Sequence, residues 1–210
     1  SDCASVETLA LFSRSGRAPD GLEAAPLDVA DEASIAAAAE RVSDLDLVFV
    51  ATGLLHGDGV SPEKDLRALD MDRLARSFAV NAAGPALVGK HFLPKLARDR
   101  KAAFAVVSAR VGSIGDNGVG GWYGYRASKA ALNQLLRTAA IEIGRKRRRQ
   151  IVLALQPGTV DTALSKPFQG SAPSLMTPDE SAAALLGVVD RATPDWSGGF
   201  YDWRGETVPW

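Results

Sequence analysis

Short apolar runs alternate with longer stretches of helical periodicity along this chain. Such alternation is typical of βαβ units, and parallel strands that are covered on both faces read as continuous apolar runs. The pattern therefore predicts an α/β domain with a mostly parallel sheet. The predicted strands are residues 6–12, 24–27, 45–51, 103–108 and 151–155.

Four helices are predicted between and after these strands. Asn81 recurs at helical spacing with Leu74 and Phe78, which places it on the same helix face as two core residues. No repeat, linker or composition shift divides the chain, so we expect one domain over residues 1–210. The predicted helices are residues 31–42 with Asp31 as N-cap, 70–98, 125–143 behind a loop with five glycines at 112–121, and 178–191 with Thr177 as cap.

The composition is that of an ordinary globular domain, since 46% of the 210 residues are hydrophobic and 23% are charged. The formal net charge of −1 provides no global basic field, and no apolar run reaches the length of a membrane span. We therefore expect neither nucleic acid nor a membrane as a partner. One cysteine excludes a disulfide framework, and with only two histidines we expect no metal site. The expected location is the reducing cytoplasm.

The residues from Arg145 to Arg149 form the one basic run of the sequence. Taken alone, this run fits either a nucleic-acid or localisation patch or the solvated C-terminus of a helix. No aromatic platform or second basic cluster accompanies it, which favours the helix end.

Tyr125 and Lys129 are the first candidates for chemistry. They are four residues apart at the start of a predicted helix, so they share one face. A lysine cation about 4–6 Å from a phenol lowers the tyrosine pKa, which would give an acid/base group near neutral pH. Such spacing often arises by chance, but this pair follows a buried strand and a Gly-rich loop. Other strands end at residues 51–53 and 156–162, so these loops are expected to meet at the carboxyl edge of the sheet, where ligands bind.

Three segments resemble the short-chain dehydrogenase/reductase family, and within it the C-factor-like branch. They are GSIGDN at 112–117, GWYGYRASKAALN at 121–133 and the ending GGFYDWRGETVPW at 198–210. The resemblance extends from about Leu9 to the end of the chain. It implies a Rossmann-like, doubly wound parallel sheet with strand order 3-2-1-4-5-6-7. It also implies hydride transfer between a nicotinamide cofactor and a carbonyl or alcohol substrate.

The resemblance assigns catalytic roles to three residues. Tyr125 would donate a proton to the carbonyl oxygen, and Lys129 would lower its pKa and hold the nicotinamide ribose hydroxyls. Asn81 matches the helix asparagine with which the family fixes a water in a proton relay. The alternative for Asn81 is a satisfied polar residue inside a helix kink.

One position departs from the family pattern. The family has two serines at the end of a strand, the second of which orients the substrate carbonyl, whereas this chain has Ser108 followed by Ala109. We expect Ser113, whose loop passes over the same edge, to replace the lost hydroxyl. Ser108 is the alternative, and an inactive site is a third reading. The rival function is therefore a non-catalytic or weakly catalytic signalling or interaction protein of the C-factor type.

The cofactor contacts are also implied by the resemblance. Arg14 follows the strand whose end meets the adenosine ribose, where an arginine suits the 2′-phosphate of NADP and an acidic residue would bind the hydroxyl of NAD. No acidic residue lies between Thr8 and Pro19, so we expect NADP(H). The implied cofactor-binding residues are Ser13, Arg14, Asp28, Val29, Ala51, Thr52, Gly53, Tyr125, Lys129, Pro157, Gly158, Val160 and Thr162.

The family's Gly-rich phosphate loop has no counterpart before Val6. We therefore expect the family's first strand, this loop and the first helix to be absent from the chain. In the family's order the first strand lies between the strands predicted at 6–12 and 45–51. Those two strands are then expected to stand about 10 Å apart with no ladder between them.

The resemblance finally bears on association and substrate. The helices that contain Asn81 and Tyr125 resemble the pair that forms the family's dimer interface, so we expect a homodimer or homotetramer. The apolar residues expected to extend this interface are Leu87, Phe92 and Leu96. The small-molecule substrate is expected to meet an apolar or aromatic wall formed by Trp122, Tyr123, Phe168 and the lid-like segment 165–176.

Overall fold

The strands of the protein pair in parallel as two separate sheets. A computed structural model of the chain describes residues 6–18, 21–57, 59–171 and 174–210. The strands are β1 (Phe12–Ser13), β2 (Ala25–Pro26), β3 (Leu47–Val50), β4 (Ala102–Val107), β5 (Gln150–Gln156) and β6 (Phe200–Asp202). The larger sheet has the order β3-β4-β5-β6, and the smaller one pairs β1 with β2.

Helices cover both faces of the larger sheet. They are α1 (Glu32–Ala39), α2 (Met71–Phe78), α3 (Gly84–Phe92), α4 (Tyr123–Gly144) and α5 (Pro178–Arg191). On one face, strand residues such as Phe104 and Val152 pack with α1, α3 and α4. On the other face, their neighbours Ala103 and Ile151 pack with α5. Because both faces are buried, the strands need continuous apolar runs, and the expected doubly wound, Rossmann-like fold is confirmed.

The first strand is much shorter than the segment predicted at 6–12. β1 pairs only two residues with β2, and Val6 and Leu9 are 63% and 65% exposed. Residues 6–10 are exposed and bury no face, and the only partner of β1 among the described residues is two residues long, which explains why these residues do not extend the strand. The other four predicted strands lie within two residues of their expected ends. The short strand β6 was not predicted.

No ladder joins β1 to β3 among the described residues, as expected for the segments 6–12 and 45–51. The family's seven-strand order is not observed as one sheet. An additional strand between β1 and β3 stays a prediction.

The helix predicted at 70–98 is wrong as a continuous element. It divides into α2, a π-helical turn at Ala79–Ala83, α3, and a 3₁₀ turn at Leu93–Lys95. Pro85 explains the break, because a proline has no N–H to donate to the carbonyl four residues earlier, here that of Asn81. The single sequence pattern therefore conceals a change of helix geometry at Asn81.

The other helices agree with the sequence. Asp31 caps α1 by accepting the N–H of Ala33 at 3.0 Å, and α5 begins in a capping box between Thr177 and Glu180. The basic run from Arg145 lies beyond the C-terminus of α4, where the guanidinium of Arg147 donates to the Leu93 carbonyl at 2.9 Å. Within the described ranges, none of the helices combines the length and the apolar character that a membrane crossing requires.

Candidate active site

Contacts at the carboxyl edge of the larger sheet bring three candidate residues together. Gly53 follows β3, and a methyl group placed on its Cα would lie 3.8 Å from both Asn81 Oδ1 and Lys129 Nζ. Lys129 Nζ donates a hydrogen bond of 2.9 Å to the carbonyl of Val107, the last residue of β4. The loops after β3 and β4 therefore meet the N-terminal half of α4, as the sequence pattern predicts.

The fully buried side chain of Asn81 connects two parts of the chain by hydrogen bonds. Its Oδ1 accepts the N–H of Leu54 at 2.7 Å, and its Nδ2 donates to the Leu54 carbonyl at 2.8 Å. The same Nδ2 donates to the Ser128 hydroxyl at 3.1 Å, and that hydroxyl donates to the Tyr125 carbonyl at 2.9 Å. Asn81 is thus a satisfied residue at a helix break, and its bonds hold the loop after β3 against α4.

Lys129 is a buried cation. It is 2% exposed, and its Nζ lies 5.9 Å from the ring centre of Tyr125. Burial disfavours the charged form and lowers the pKa of Lys129 to about 8. A lysine with this pKa is mostly protonated at neutral pH, so the site contains an ammonium group.

The predicted lowering of the Tyr125 pKa is wrong for this arrangement. Burial raises the pKa of Tyr125 to about 12, because the desolvated phenolate is disfavoured. The ammonium of Lys129 bonds to the Val107 carbonyl, and no described residue forms a hydrogen bond with the Tyr125 hydroxyl. Tyr125 is therefore protonated at neutral pH, which is the form that can donate a proton.

The two candidate serines are both buried but have different partners. The Ser108 hydroxyl donates to Asn133 Oδ1 at 2.6 Å, so its single proton is in use. The Ser113 hydroxyl accepts the N–H of Asp116 at 3.1 Å, which leaves its proton available. Ser113 directly follows Gly112, where an added Cβ would lie only 2.7 Å from Lys129 Cβ.

Aromatic rings line the approach to Tyr125. The ring of Trp122 is 6.3 Å from that of Tyr125 and 4.9 Å from that of Phe168. Phe168 lies in the 3₁₀ helix Lys166–Ser171, and its ring is 5.7 Å from that of His56. Trp122 and Phe168 therefore contact each other as the predicted wall requires, whereas Tyr123 is partly exposed. Residues 172 and 173 of the lid-like segment lie outside the described residues.

The loop after β5 packs against this lid-like segment. Pro157 accepts a hydrogen bond of 2.9 Å from the Ser181 hydroxyl of α5. Gly158 has a φ of +80°, and an added Cβ would lie 2.9 Å from Met176 Sδ, so the position requires glycine. Val160 forms a parallel bridge with Met176, and the Thr162 N–H donates to Ser165 Oγ at 3.2 Å.

The remaining implied cofactor residues follow the two short strands. The Ser13 hydroxyl donates to the Arg17 carbonyl at 2.7 Å, and Arg14 beside it is exposed. Asp28 accepts the N–H of Ala30 at 2.9 Å. Val29 is buried where α3 begins, since a Cβ on Gly84 would lie 2.6 Å from its carbonyl. The described contacts do not join this group to Tyr125 or Lys129.

The residues at the sheet edge fit a nicotinamide nucleotide. Among the described residues, the buried hydroxyl of Thr52 has no hydrogen-bond partner. Ala51 and Gly53 on either side of it are exposed, and the absence of a side chain at Gly53 leaves space near the Lys129 ammonium. The Thr52 hydroxyl without a partner and the Lys129 ammonium lie near the accessible backbone of Gly53. Such a set of groups suits a ligand that carries several hydroxyl groups.

Sequence reasoning missed two residues of this site. Ser128 connects Asn81 to Tyr125, and its position three residues after Tyr125 on one helix could have suggested it. His56 Nε2 lies 3.1 Å from the carbonyls of Ala163 and Leu164. Because both partners are acceptors, this nitrogen carries the proton. No local pattern could have shown that contact, since its partners are more than a hundred residues away along the chain.

Most of the chain matches a known family at the level of sequence. The sequence profile described as short chain dehydrogenase matches residues 5–171. The protein therefore belongs to the short-chain dehydrogenase family, and the resemblance carried by its motifs is confirmed.

Individual relatives support this assignment. The chain is 35% identical over 205 residues to 1-hydroxy-2-glutathionyl-2-methyl-3-butene dehydrogenase from Rhodococcus sp. (strain AD45), covering 95% of this chain and 86% of that protein. It is 37% identical over 142 residues to C-signal from Myxococcus xanthus, covering 68% of this chain and 81% of that protein. The second match supports the C-factor-like branch.

A solved structure supports the fold as well. The NADPH-bound carbonyl reductase from chicken fatty liver superimposes with a TM-score of 0.77 at 29% sequence identity, covering 90% of this chain and 78% of that one.

The buried ammonium of Lys129 makes stability depend on pH. The folded-state pKa of about 8 lies below the unfolded value of about 10.4, so burial of the charge costs stability below pH 8. That cost disappears as pH rises to about 10.4. Lys129→Met should therefore raise the free energy of unfolding near pH 7, and its advantage over the wild type should fall by about 3 kcal/mol by pH 10.5. Urea unfolding of both proteins from pH 7 to 10.5 measures this difference, and a constant difference would contradict the assignment.

Proposed function

We propose that this member of the family is an NADP(H)-dependent oxidoreductase that transfers a hydride between the cofactor and a carbonyl or alcohol substrate. One observation carries the proposal: Tyr125 and the buried Lys129 lie together with Gly53 and Asn81 at the carboxyl edge of a parallel sheet. Parallel α/β sheets bind ligands at this edge.

Tyr125 is the proton donor in the direction of carbonyl reduction. With a pKa of about 12 its hydroxyl is protonated at neutral pH, so it can protonate the oxygen of a carbonyl that is being reduced. A nicotinamide cofactor held at this edge would supply the hydride in this direction and would accept it in the reverse one. The Lys129 ammonium stabilises negative charge on the phenolic oxygen once the proton has left.

Lys129, Thr52 and Gly53 hold the cofactor in this proposal. The ammonium would donate to the ribose hydroxyls, and the Thr52 hydroxyl has no partner among the described residues. Asn81 acts by holding Leu54 and Ser128, since both hydrogens of its amide donate to these residues. Pro157, Gly158, Val160 and Thr162 would hold the nicotinamide amide, and Asp28 and Val29 would hold the adenine.

Ser113 is the proposed orienting hydroxyl for the substrate carbonyl. The free proton of its hydroxyl supports this role, whereas the Ser108 proton is donated to Asn133. A donor near the carbonyl oxygen both orients the substrate and stabilises charge that develops on that oxygen.

The substrate is proposed to carry an apolar or aromatic group. Trp122 and Phe168 present ring faces and edges near Tyr125, and such surfaces favour apolar groups and aromatic rings. His56 ties the loop after β3 to the loop that leads into Phe168, which closes this side of the site.

Tyr125→Phe removes the proton donor without changing the shape of the side chain. Turnover of a panel of aromatic ketones and aldehydes, followed by NADPH absorbance, should fall about 100-fold or more while the melting temperature is kept. In the same assay Ser113→Ala should lose more activity than Ser108→Ala. A Tyr125→Phe variant that keeps most of the wild-type rate would show that the acid is assigned wrongly.

The assay also separates the enzyme from its rival. Ala109, which lacks the family's hydroxyl, and the similarity to C-signal favour a signalling or interaction protein. A wild-type chain that binds NADPH but reduces none of the panel would support that rival.

Arg14 is the proposed reason for a preference for NADP(H). It lies exposed directly after β1, the sequence has no acidic residue between Thr8 and Pro19, and a guanidinium binds a phosphate by charge-assisted hydrogen bonds. The NADPH-bound carbonyl reductase of similar fold supports the same cofactor.

NADPH should bind more tightly than NADH by about 1.5–3 kcal/mol, the range for a hydrogen bond to a charged group. Arg14→Ala should abolish this preference and leave NADH binding unchanged, as measured by calorimetric titration with both nucleotides. Arg73→Ala, which removes an exposed arginine of α2, is the control for net charge. Equal affinity of the wild type for both nucleotides would refute the role of Arg14.

Self-association is proposed to use the outer faces of α3 and α4. Two of the three residues expected to extend this interface are not accessible. Phe92 and Leu96 are buried in the core of one subunit, so they are not available to a second copy. Leu87 is partly buried against the same core. A groove of about 600 Å³ lies between α3 and α4, and Leu135 and Ile141 of α4 are 42% and 50% exposed.

Light scattering at micromolar concentration should give the mass of a homodimer or homotetramer. Leu135→Glu should dissociate it, because burial of an unpaired carboxylate in the interface is unfavourable. Val119→Glu, at an apolar residue that is 92% exposed on the Gly-rich loop, should leave the mass unchanged. A monomeric wild type would contradict this proposal.

A further inference from the structure

The helix that carries Tyr125 has no N-terminal cap of its own. The residue that precedes α4 is Trp122, which makes no side-chain capping bond. The first turn of a helix has backbone N–H groups without helical partners, and a buried helix end needs acceptors for them. For α4, which is 22 residues long, these acceptors must come from another part of the chain.

Glu63, in a loop between β3 and α2, supplies two acceptors at this end of the helix, one of them for the first turn. Its Oε2 accepts the N–H of Gly124 at 3.0 Å, and its main-chain carbonyl accepts the N–H of Trp122 at 2.6 Å. The side chain is only 4% exposed. A carboxylate at a helix N-terminus also interacts favourably with the helix dipole, which compensates part of the cost of its burial.

The absence of a side chain at Gly124 allows the close approach of the Glu63 carboxylate. A Cβ at this position would lie 2.9 Å from Glu63 Oε1 and 3.2 Å from Leu74 Cδ2. Glycine therefore permits the carboxylate to approach the backbone of α4 immediately before Tyr125.

Trp122 has a backbone conformation that depends on this contact. Its φ of 53° and ψ of 42° are in the left-handed region, which is rare for a bulky residue and persists where the surroundings impose it. The Trp122 N–H is bound by the Glu63 carbonyl, and its own carbonyl accepts the first helical bond, from the Arg126 N–H at 2.9 Å. This conformation directs the Trp122 ring towards Phe168 and Tyr125.

We propose that Glu63 is a positioning residue that fixes the first turn of α4, and with it the Tyr125 hydroxyl and the Trp122 ring. The kinetic part of this inference rests on the proposed oxidoreductase function. The Glu63 carboxylate acts through the backbone of Gly124 and touches neither substrate nor cofactor. Small displacements of a catalytic group have large effects on rate, so loss of the cap lowers kcat rather than cofactor affinity.

The test compares Glu63→Ala, Glu63→Gln and the control Asp190→Ala. Glutamine keeps an acceptor oxygen for the Gly124 N–H, whereas alanine removes it. Asp190 is an exposed carboxylate near the end of α5, so its removal changes the net charge equally but leaves the first turn of α4 intact. Three quantities are measured: kcat and KM for a ketone with NADPH, the Kd for NADPH, and amide hydrogen exchange of the peptide spanning residues 121–128.

Glu63→Ala should lower kcat by about 10–100-fold, leave the Kd for NADPH nearly unchanged, and accelerate exchange in the first turn of α4. Glu63→Gln should restore most of both kcat and protection, and Asp190→Ala should match the wild type. Rescue by glutamine separates an acceptor for the helix end from a general effect on stability. If Glu63→Ala does not fold, the Glu63→Gln variant tests the proposal instead. A glutamine variant that folds but has lost both its activity and its protection from amide exchange at residues 121–128 would overturn the proposal.

The exchange measurement keeps this inference separate from the proposed function. A wild-type chain that reduces no ketone, with exchange that responds to Glu63→Ala as expected, would refute the proposed activity and support the cap. If the wild type is active and Glu63→Ala has the same kcat and the same amide exchange, the role of Glu63 is refuted and the proposed activity is not.

Discussion

The amide of Asn81 is the contact on which the geometry of the site depends most. It bonds to both main-chain polar groups of Leu54 and to the hydroxyl of Ser128, and all of these atoms are buried. Buried polar groups are costly unless they are paired, so the loop after β3 and the helix that carries Tyr125 have one arrangement that satisfies every group. Gly53 and Lys129 come into proximity because of this arrangement.

Burial controls the protonation states at the site in a way that sequence spacing alone does not reveal. The four-residue spacing of Tyr125 and Lys129 predicts that they share a face, and they do. The spacing does not show which acceptor the Lys129 ammonium bonds to. In the structure this acceptor is the Val107 carbonyl at the end of β4. The pKa of Tyr125 is raised rather than lowered as a result, because desolvation acts on the phenolate without a direct ionic partner.

The sequence predicted best what depends on neighbours along the chain. The bounds of α5 and its capping box follow from Thr177, Pro178 and Glu180, which interact within one turn. The strands β4 and β5 follow from apolar runs that are buried on both faces. The continuous helix at 70–98 failed because apolar periodicity does not register the missing N–H of Pro85. The contacts of Glu63 and His56 link residues far apart in sequence, and periodicity carries no information about such pairs.

The π-helical turn at Ala79–Ala83 determines the rotation of α3 relative to α2. Each residue of an α-helix turns the chain by about 100°, so removal of one residue from this turn would rotate all of α3 by roughly that angle. Gly84 would then no longer face the Val29 carbonyl, where no side chain fits. The helix pair has two packing contacts: α2 packs against α4 through Leu74, and α3 packs against the segment after β2. The extra residue of the π-helical turn gives α3 the rotation at which both contacts form together. The helix pair tolerates substitutions at exposed positions far better than any change in its length.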